Sequence, residues 1–329
     1  MTERKLAPPQ KAQFVEVDAD RAGQRIDNFL LTFLKGVPKS RIYRLLRKGE
    51  VRVNKGRIKA NYRLQAGDTV RIPPVRQAEA TTTVHPGQKA LAAIENSILV
   101  EEKGFLILNK PSGMAVHGGS GLSYGVIEAL RVLRPEAPFL ELVHRLDRDT
   151  SGCLIIAKKR SLLRELHALM RGEAGGMEKR YLALVKGRWK GGERRVDAPL
   201  LKNTLRSGER VVTVHAEGKR ALSLFRPITI YDHASLVEVS LLTGRTHQIR
   251  VHAASIGHPI AGDEKYGDES FNREMKGLGL RRLFLHAQSL TFSVSAMEQP
   301  FQVTAPLGQE LEAVLDKLAA RQKLSVESS

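Results

Sequence analysis

Residues 153 to 157, Cys-Leu-Ile-Ile-Ala, are five apolar residues in a row, entered from the charged stretch "HRLDRDTSG" at 144 to 152. A run this short, bounded by turn residues, has the length of a buried strand. It places two carboxylates, Asp147 and Asp149, among two arginines and a histidine at the strand's entrance. Asp149, Thr150 and Ser151 are turn formers, so the loop has a purely structural explanation too. Most Asp residues set among arginines are solvated or structurally paired. Chemistry at this loop therefore needs support from the rest of the chain.

Around it, strand patterns are read at "FLILNK", "YLALVKG", "LVEVSLL" and "LFLHAQSLTF", and helices near 125 to 133, 160 to 171 and 247 to 256. Strand outnumbers helix without regular alternation, which predicts an α+β domain with a mixed, largely antiparallel sheet from about residue 90 to 323. The segments near 171 to 177 and 267 to 280 read as surface loops, and residues 324 to 329 as a flexible tail. A length of 329 residues with 42% hydrophobic content supports two domains of unequal size. The single cysteine, Cys153, lies inside the apolar run, which excludes an internal disulfide and a Cys-rich zinc site. "MTERKLAPPQ" has no apolar signal region, and no stretch approaches eighteen apolar residues. The expectation is a soluble, cytoplasmic protein that engages no membrane.

A net charge of +18 points to a polyanionic partner. Its distribution says more. Residues 24 to 74 hold thirteen Lys and Arg against three acids, Asp27, Glu50 and Asp68, so +10 of the excess falls in this segment. Ile26, Phe29, Leu30, Phe33 and Leu34 repeat at helical spacing, and a second helix starts after Pro38. On that helix Ile42, Leu45 and Leu46 form an apolar stripe, while Arg41, Arg44 and Lys48 share another face suited to phosphates. Gly49 ends the helix, Asn54-Lys55-Gly56 turns between strands, and "DTVRIPP" closes the segment. A solvated face usually mixes both signs, and this one does not.

Helix, basic helix and "GEVRVNKGRIKANYRLQAGDTVRI" together resemble the S4 RNA-binding domain, with residues 1 to 23 as an N-terminal arm and 75 to 89 as a linker. The resemblance implies a module that follows structured RNA by shape and backbone charge, with Arg41, Arg44, Lys48, Arg52 and Lys55 as its contacts. In the larger domain, "LNKPSGMAVH", "HRLDRDTSG", "EKRYLALVKG" and "LLTGRTHQIRVHAASIGHPIAGDEKYG" resemble the RluA family of pseudouridine synthases over nearly its whole length. With the S4 module in front, and with "LLKNTLRSGERVV" and "RLFLHAQSL", the resemblance extends to the RluC branch, which acts on large-subunit ribosomal RNA. By position it implies Asp147 as nucleophile, Tyr181 as active-site tyrosine, Arg245 as the nucleophile's buried basic partner and Arg145 as the residue that displaces the target base. The expected partner is large-subunit ribosomal RNA, free or in an assembling particle, and the protein is expected to be a monomer.

The chemistry suits these residue types. Pseudouridine formation exchanges a ribose-to-nitrogen bond for a ribose-to-carbon bond on the same base, so no cofactor is required. A carboxylate can attack the sugar C1′, assist departure of uracil toward a glycal, or attack C6, and the residues alone leave these routes open. Desolvation disfavours a carboxylate's charge and a guanidinium restores it, which is the purpose of an arginine partner. A tyrosine ring offers a face to the freed uracil, and its hydroxyl is a candidate acceptor for the C5 proton, directly or through water. A long basic side chain can fill the gap left by a flipped base.

Each residue also has a plain explanation. Tyr181 fits a core aromatic, Arg245 a loop charge beside Thr243 or Thr246 capping a helix, and Lys110 and His117 the shaping of a turn. Two other functions compete. A metal-dependent hydrolase would need His144, His247, His252, His258 and His286 gathered with Asp147, yet His247 and His252 are five apart on one helix and do not share a face. No metal is therefore expected. A non-catalytic RNA-binding factor should have lost the nucleophile or its arginine, and Asp147 and Arg245 are both present.

Overall fold

The computed structural model describes residues 12–34, 36–75, 86–118, 124–172, 176–204, 210–295 and 297–327. The chain divides into two compact units, Met1–Val84 and His85–Ser329.

The first unit comprises β1 (Gln13–Glu16), α1 (Ile26–Phe33), α2 (Lys39–Lys48), β2 (Arg52–Val53), β3 (Gly56–Arg57) and β4 (Thr69–Ile72). Its antiparallel sheet runs in the order β1-β4-β2-β3. Phe29 and Leu30 of α1 and Ile42, Leu45 and Leu46 of α2 pack with Val51, Val53, Val70 and Ile72 in one core. Val17 joins this core and β1 pairs with β4, so the segment expected as an N-terminal arm is structured from residue 12. Pairing with β4 satisfies backbone groups that a free arm would leave to water. Gly49 ends α2 at φ 70°, with its N–H on the Leu46 carbonyl and that of Glu50 on Leu45. The turn between β2 and β3 is made by Asn54 (φ 48°) and Lys55 (φ 68°). Buried Asp68 fixes that turn by accepting from the Asn54 side chain, the Tyr62 hydroxyl and the Gln65 N–H.

The second unit comprises α3 (Gln88–Glu95), β5 (Ile98–Glu101), β6 (Phe105–Lys110), α4 (Val126–Leu133), β7 (Glu141–Leu142), β8 (Ser151–Ala157), α5 (Arg160–Arg171), β9 (Glu178–Lys186) and β10 (Arg194–Asp197). It continues with β11 (Leu200–Thr204), β12 (Arg210–Val214), β13 (Leu222–Ile230), β14 (Ala234–Leu241), α6 (Gln248–Ser255), α7 (Glu269–Gly277), β15 (Leu285–Phe292), β16 (Phe301–Thr304) and α8 (Gln309–Glu327). The main sheet runs β10-β13-β14-β9-β15-β8-β6-β5, with β16 beside β15 and β7 beside β8; β11 and β12 form a separate hairpin. Among the described strands only β15 and β8 pair in parallel, so the sheet is mixed and largely antiparallel. All seven residues of β8 are buried.

Alternation divides the sheet's two faces. Leu106 and Leu108, Leu154 and Ile156, and Tyr181 and Ala183 pack against α4 and α6. The intervening Phe105, Ile107, Cys153 and Ile155 meet α5, and Leu182 and Leu184 meet α7 and α8.

Three further expectations are corrected. The 267 to 280 region contains α7, whose apolar stripe is only Phe271 and Met275, one turn apart; Asp268 caps it by accepting from the Phe271 N–H. So narrow a stripe hides a helix in a polar sequence. The expected linker is shorter at its far end, where α3 begins at Gln88, while residues 76–85 lie outside the described residues. The expected tail is helical through Glu327. The central part of "LLKNTLRSGERVV", residues 205–209, also lies outside the described residues.

Candidate active site

The loop that carries Asp147 is held from both sides. Behind it, the Val143 N–H donates to the Ile155 carbonyl and buried His144 accepts from the Ile155 N–H at Nε2, tying the loop to β8. In front, the buried Lys110 ammonium donates to the carbonyls of Pro111, Met114 and Arg148. Burial draws Lys110 down to about 7, and these three acceptors are what its charged form needs. Ser112 Oγ donates to the Asp149 carbonyl and the Gly113 N–H to that of Arg148. The Lys-Pro-Ser-Gly turn is thus the brace of the Asp147 loop. Gly152 follows at φ 107°, where a Cβ would collide with the Ala287 carbonyl across the parallel β8–β15 register. Only glycine fits both that backbone and that approach.

The loop between β14 and α6 supplies the opposite wall. Gln248, buried at the first position of α6, accepts from the Arg245 N–H and the Thr243 hydroxyl and donates to Leu222 O and Ser223 Oγ. Thr243 therefore orients Gln248 and does not cap the helix. The N-cap is His247, at φ 54°.

These walls enclose a pocket of about 570 Å³ of empty space, counting its open mouth, lined by Asp147, Tyr181, Arg145, Arg245, His247 and Arg250 among others. The sequence-level candidates Asp147, Tyr181, Arg145 and Arg245 therefore share one cavity. Their placement differs from expectation in one respect. Arg245 is exposed, and its guanidinium donates to the Arg220 carbonyl at 3.1 Å. The buried arginine beside the carboxylate is Arg250, with Nη1 3.6 Å from Asp147 Oδ2. It makes two 2.7 Å bonds to Asp263, whose side chain is 1% exposed, and lies 5.0 Å from the Tyr266 ring centroid. Burial opposes the Arg250 charge, but the Asp263 bonds outweigh it and hold the guanidinium above its ordinary range. The reason for the exchange is geometric: the helix begins after His247, so Arg250 projects inward from its first turn while Arg245 stays in the loop before it.

Tyr181 is 7% exposed, and burial, reinforced by the charge of Asp147, holds its phenol well above the ordinary range. Asp149 points away to Arg148, in an exposed pair at 3.2 Å. The sequence reading missed Arg250, Tyr266 and Asp263, and weighed His247 only as a metal ligand. The one local hint was Arg250 set between Ile249 and Val251, which suggests a buried cation but neither singles it out from Arg245 nor points to Asp263. Among the described residues, no three His, Cys, Asp or Glu gather as metal ligands. His252 is taken up by Ser223 and Ala198, His286 by Ser151 and Ala305, and His258 by Lys186.

In the first unit, Arg44, Arg47, Lys48, Arg52 and Lys55 are exposed and Arg41 is half-buried. Arg41, Arg44 and Arg47 line a shallow cleft with Pro38 and Ser40. Arg47 is an addition to the expected set.

Comparisons with known proteins agree over both units. The RNA pseudouridylate synthase family model matches residues 104–255, and the S4 domain model residues 24–70. The chain is 58% identical to ribosomal large subunit pseudouridine synthase C of Escherichia coli K12, over 93% of this chain and 96% of that one. It is 56% identical to the protein of that name from Yersinia pestis, over 95% and 97%. Among solved structures it resembles human RNA pseudouridylate synthase domain containing 4, at TM-score 0.58 and 26% identity, over 70% of this chain and 95% of that one. No helix among the described residues is long and apolar enough to cross a membrane.

Proposed function

The chain belongs to the RNA pseudouridylate synthase family, and from that premise we propose that it converts specific uridines of large-subunit ribosomal RNA to pseudouridine. The observation that carries this reading is Asp147 in a small pocket beside a tyrosine ring, with a buried arginine that a second carboxylate holds in place. The C1′–N1 bond breaks, a C1′–C5 bond forms, the C5 proton leaves and N1 gains one, so atoms balance without oxidant or cofactor.

In this reading Asp147 is the nucleophile and Arg250 fixes and balances it. Tyr181 offers its ring face to the freed uracil. Burial keeps the proton on its hydroxyl in the resting site, and that hydroxyl remains the route for the C5 proton, directly or through water. Arg145, exposed at the rim, enters the stack in place of the flipped base. Arg245, also exposed, meets phosphate there. A broader cleft sharing His247 and Arg250 is lined by Arg148, Lys276, Arg281 and Arg282 and suits the flanking backbone. Arg41, Arg44, Arg47, Lys48, Arg52 and Lys55 supply affinity by phosphate contact. The protein acts as a monomer in the cytoplasm, where ribosomal RNA is assembled.

Single-turnover release of tritium from C5-labelled uridine in ribosomal RNA tests this. Asp147→Asn should abolish release and leave RNA binding nearly intact, while Asp149→Asn, which keeps a turn-competent side chain, should retain most activity. Full turnover by the Asp147 variant, or total inactivity of a folded Asp149 variant, would show the wrong carboxylate has been assigned.

A further inference from the structure

Two groups converge on one oxygen of Asp147. Arg250 Nη1 at 3.6 Å and His247 Nε2 at 3.9 Å both make their closest approach to Oδ2. Arg250 is held by Asp263, and His247 is held by a second set of bonds that leads away from the pocket. Its Nδ1 lies 2.8 Å from the Tyr266 hydroxyl oxygen, which is also 3.0 Å from the Val212 backbone nitrogen. A backbone N–H can only donate, so the phenol oxygen accepts there and has its own proton to give to His247 Nδ1. Burial raises the Tyr266 phenol, which keeps that proton in place. An imidazole that accepts at Nδ1 carries its proton on Nε2, the nitrogen facing Asp147. Burial favours the neutral ring against the pull of Asp147. The same tyrosine packs edge-on to His247, with centroids 5.5 Å apart, and covers the Arg250 guanidinium. His247 also holds a left-handed backbone, a costly conformation that persists where the surroundings fix it.

We propose that His247 is a positioning residue for the nucleophile: its tautomer set by Tyr266, it presents an Nε2–H that joins Arg250 in anchoring Asp147 Oδ2, leaving Oδ1 to meet the substrate. This rests on Asp147 being the nucleophile, as proposed above. It also assigns the β11–β12 hairpin a part in the site, because Val212 on β12 supplies the bond that orients the Tyr266 proton.

Backbone strain and side-chain chemistry rank two variants oppositely. Asparagine tolerates a positive φ better than glutamine does, so a merely structural His247 makes His247→Asn the milder change. The proposal makes His247→Gln the milder, because the glutamine amide reaches the place of Nε2 while the asparagine amide ends near Nδ1. In single-turnover assays, His247→Gln should stay within about tenfold of wild type, and His247→Asn and His247→Ala should fall about 100-fold, as for a misplaced reacting group, with RNA Kd unchanged. An Asn variant as fast as the Gln variant overturns the proposal. A second measurement needs no turnover. Nitrogen-15 NMR of histidine-labelled full-length protein should show His247 protonated on Nε2, with Tyr266→Phe admitting the Nδ1–H form. An Nδ1–H tautomer in the wild type overturns the proposal whatever the activity. Failure of the wild type to form pseudouridine, with the Nε2–H tautomer present, overturns the functional reading instead.

Discussion

The two units carry positive charge in opposite ways. In the first, two acids are buried and most of the α2 cations are exposed: Asp27 accepts from Arg25, Tyr43 and the Asn28 N–H, Asp68 braces a turn, and the basic side chains of α2, of which only Arg41 is half-buried, have no acidic partner among the described residues. In the second, the decisive cation is buried and bracketed between two carboxylates, Asp147 and Asp263. Under the proposed function, the difference separates binding from chemistry. Exposed cations give many weak, interchangeable, salt-sensitive contacts, whereas one enclosed guanidinium gives a fixed geometry that no neighbour can replace.

The largest expected effect tests whether that geometry belongs to Arg250. Arg250→Met leaves buried Asp263 and half-buried Asp147 facing an apolar group, so it should cost about 3 to 5 kcal/mol in chemical denaturation and reduce the single-turnover rate at least about 100-fold. Arg245→Ala removes an exposed side chain and should change stability by no more than about 0.5 kcal/mol. Equal damage from both would erase the distinction between the buried arginine and the loop arginine.

A pH series separates the units next. His144 must be neutral to accept from Ile155, and burial lowers it from its ordinary 6.5 to about 4. Between those values the unfolded chain binds the extra proton, so this contribution is complete above pH 6.5 and is lost as pH falls through about 4. His252 and His286, also lowered by burial, act in the same direction. The fully developed effect for His144 is a few kcal/mol, at about 1.4 kcal/mol per pKa unit. Residues 1 to 84 contain no histidine, and the lowered Asp27, held down chiefly by Arg25, protects the first unit until pH falls below the ordinary 3.8. Hydrogen exchange on the full chain should therefore show protection in β8 and β9 falling before that in α2 and β4. Simultaneous loss would break the contrast.

The smallest effect concerns the exposed cations. Reversing Arg41, Arg44 and Lys48 together should weaken RNA binding and flatten the plot of log affinity against log salt by about 2 to 3, with the chemical step spared. An unchanged slope would remove the first unit's surface from the binding account.

Legibility in the sequence followed the same division. The basic helix, its apolar stripe, the Gly49 stop and the buried strand after Gly152 were readable because each is a local pattern of spacing or turn chemistry. The Asp147 loop and Tyr181 were recognisable through motif resemblance, and the structure brings them to one pocket. Arg250 was not readable as the partner, since two arginines flank "THQI" and only the start of α6 after His247 decides which one turns inward. Asp263 and Tyr266 reach the site through tertiary contacts that no local pattern encodes. The brace from Lys110 escaped for the same reason, its bond to the Arg148 carbonyl spanning 38 residues.

The parallel join of β8 to β15 carries a consequence for the timing of assembly. Ser151 and His286, paired across it, stand 135 residues apart in the chain. Such a contact closes late, because the entropy of a long loop is lost before the pairing rewards it. During synthesis the Asp147 loop leaves the ribosome long before the strand that locks Gly152 against Ala287. A nascent chain lacking β15 thus has its Asp147 segment without its register, and the pocket is complete only when most of the second unit has been made.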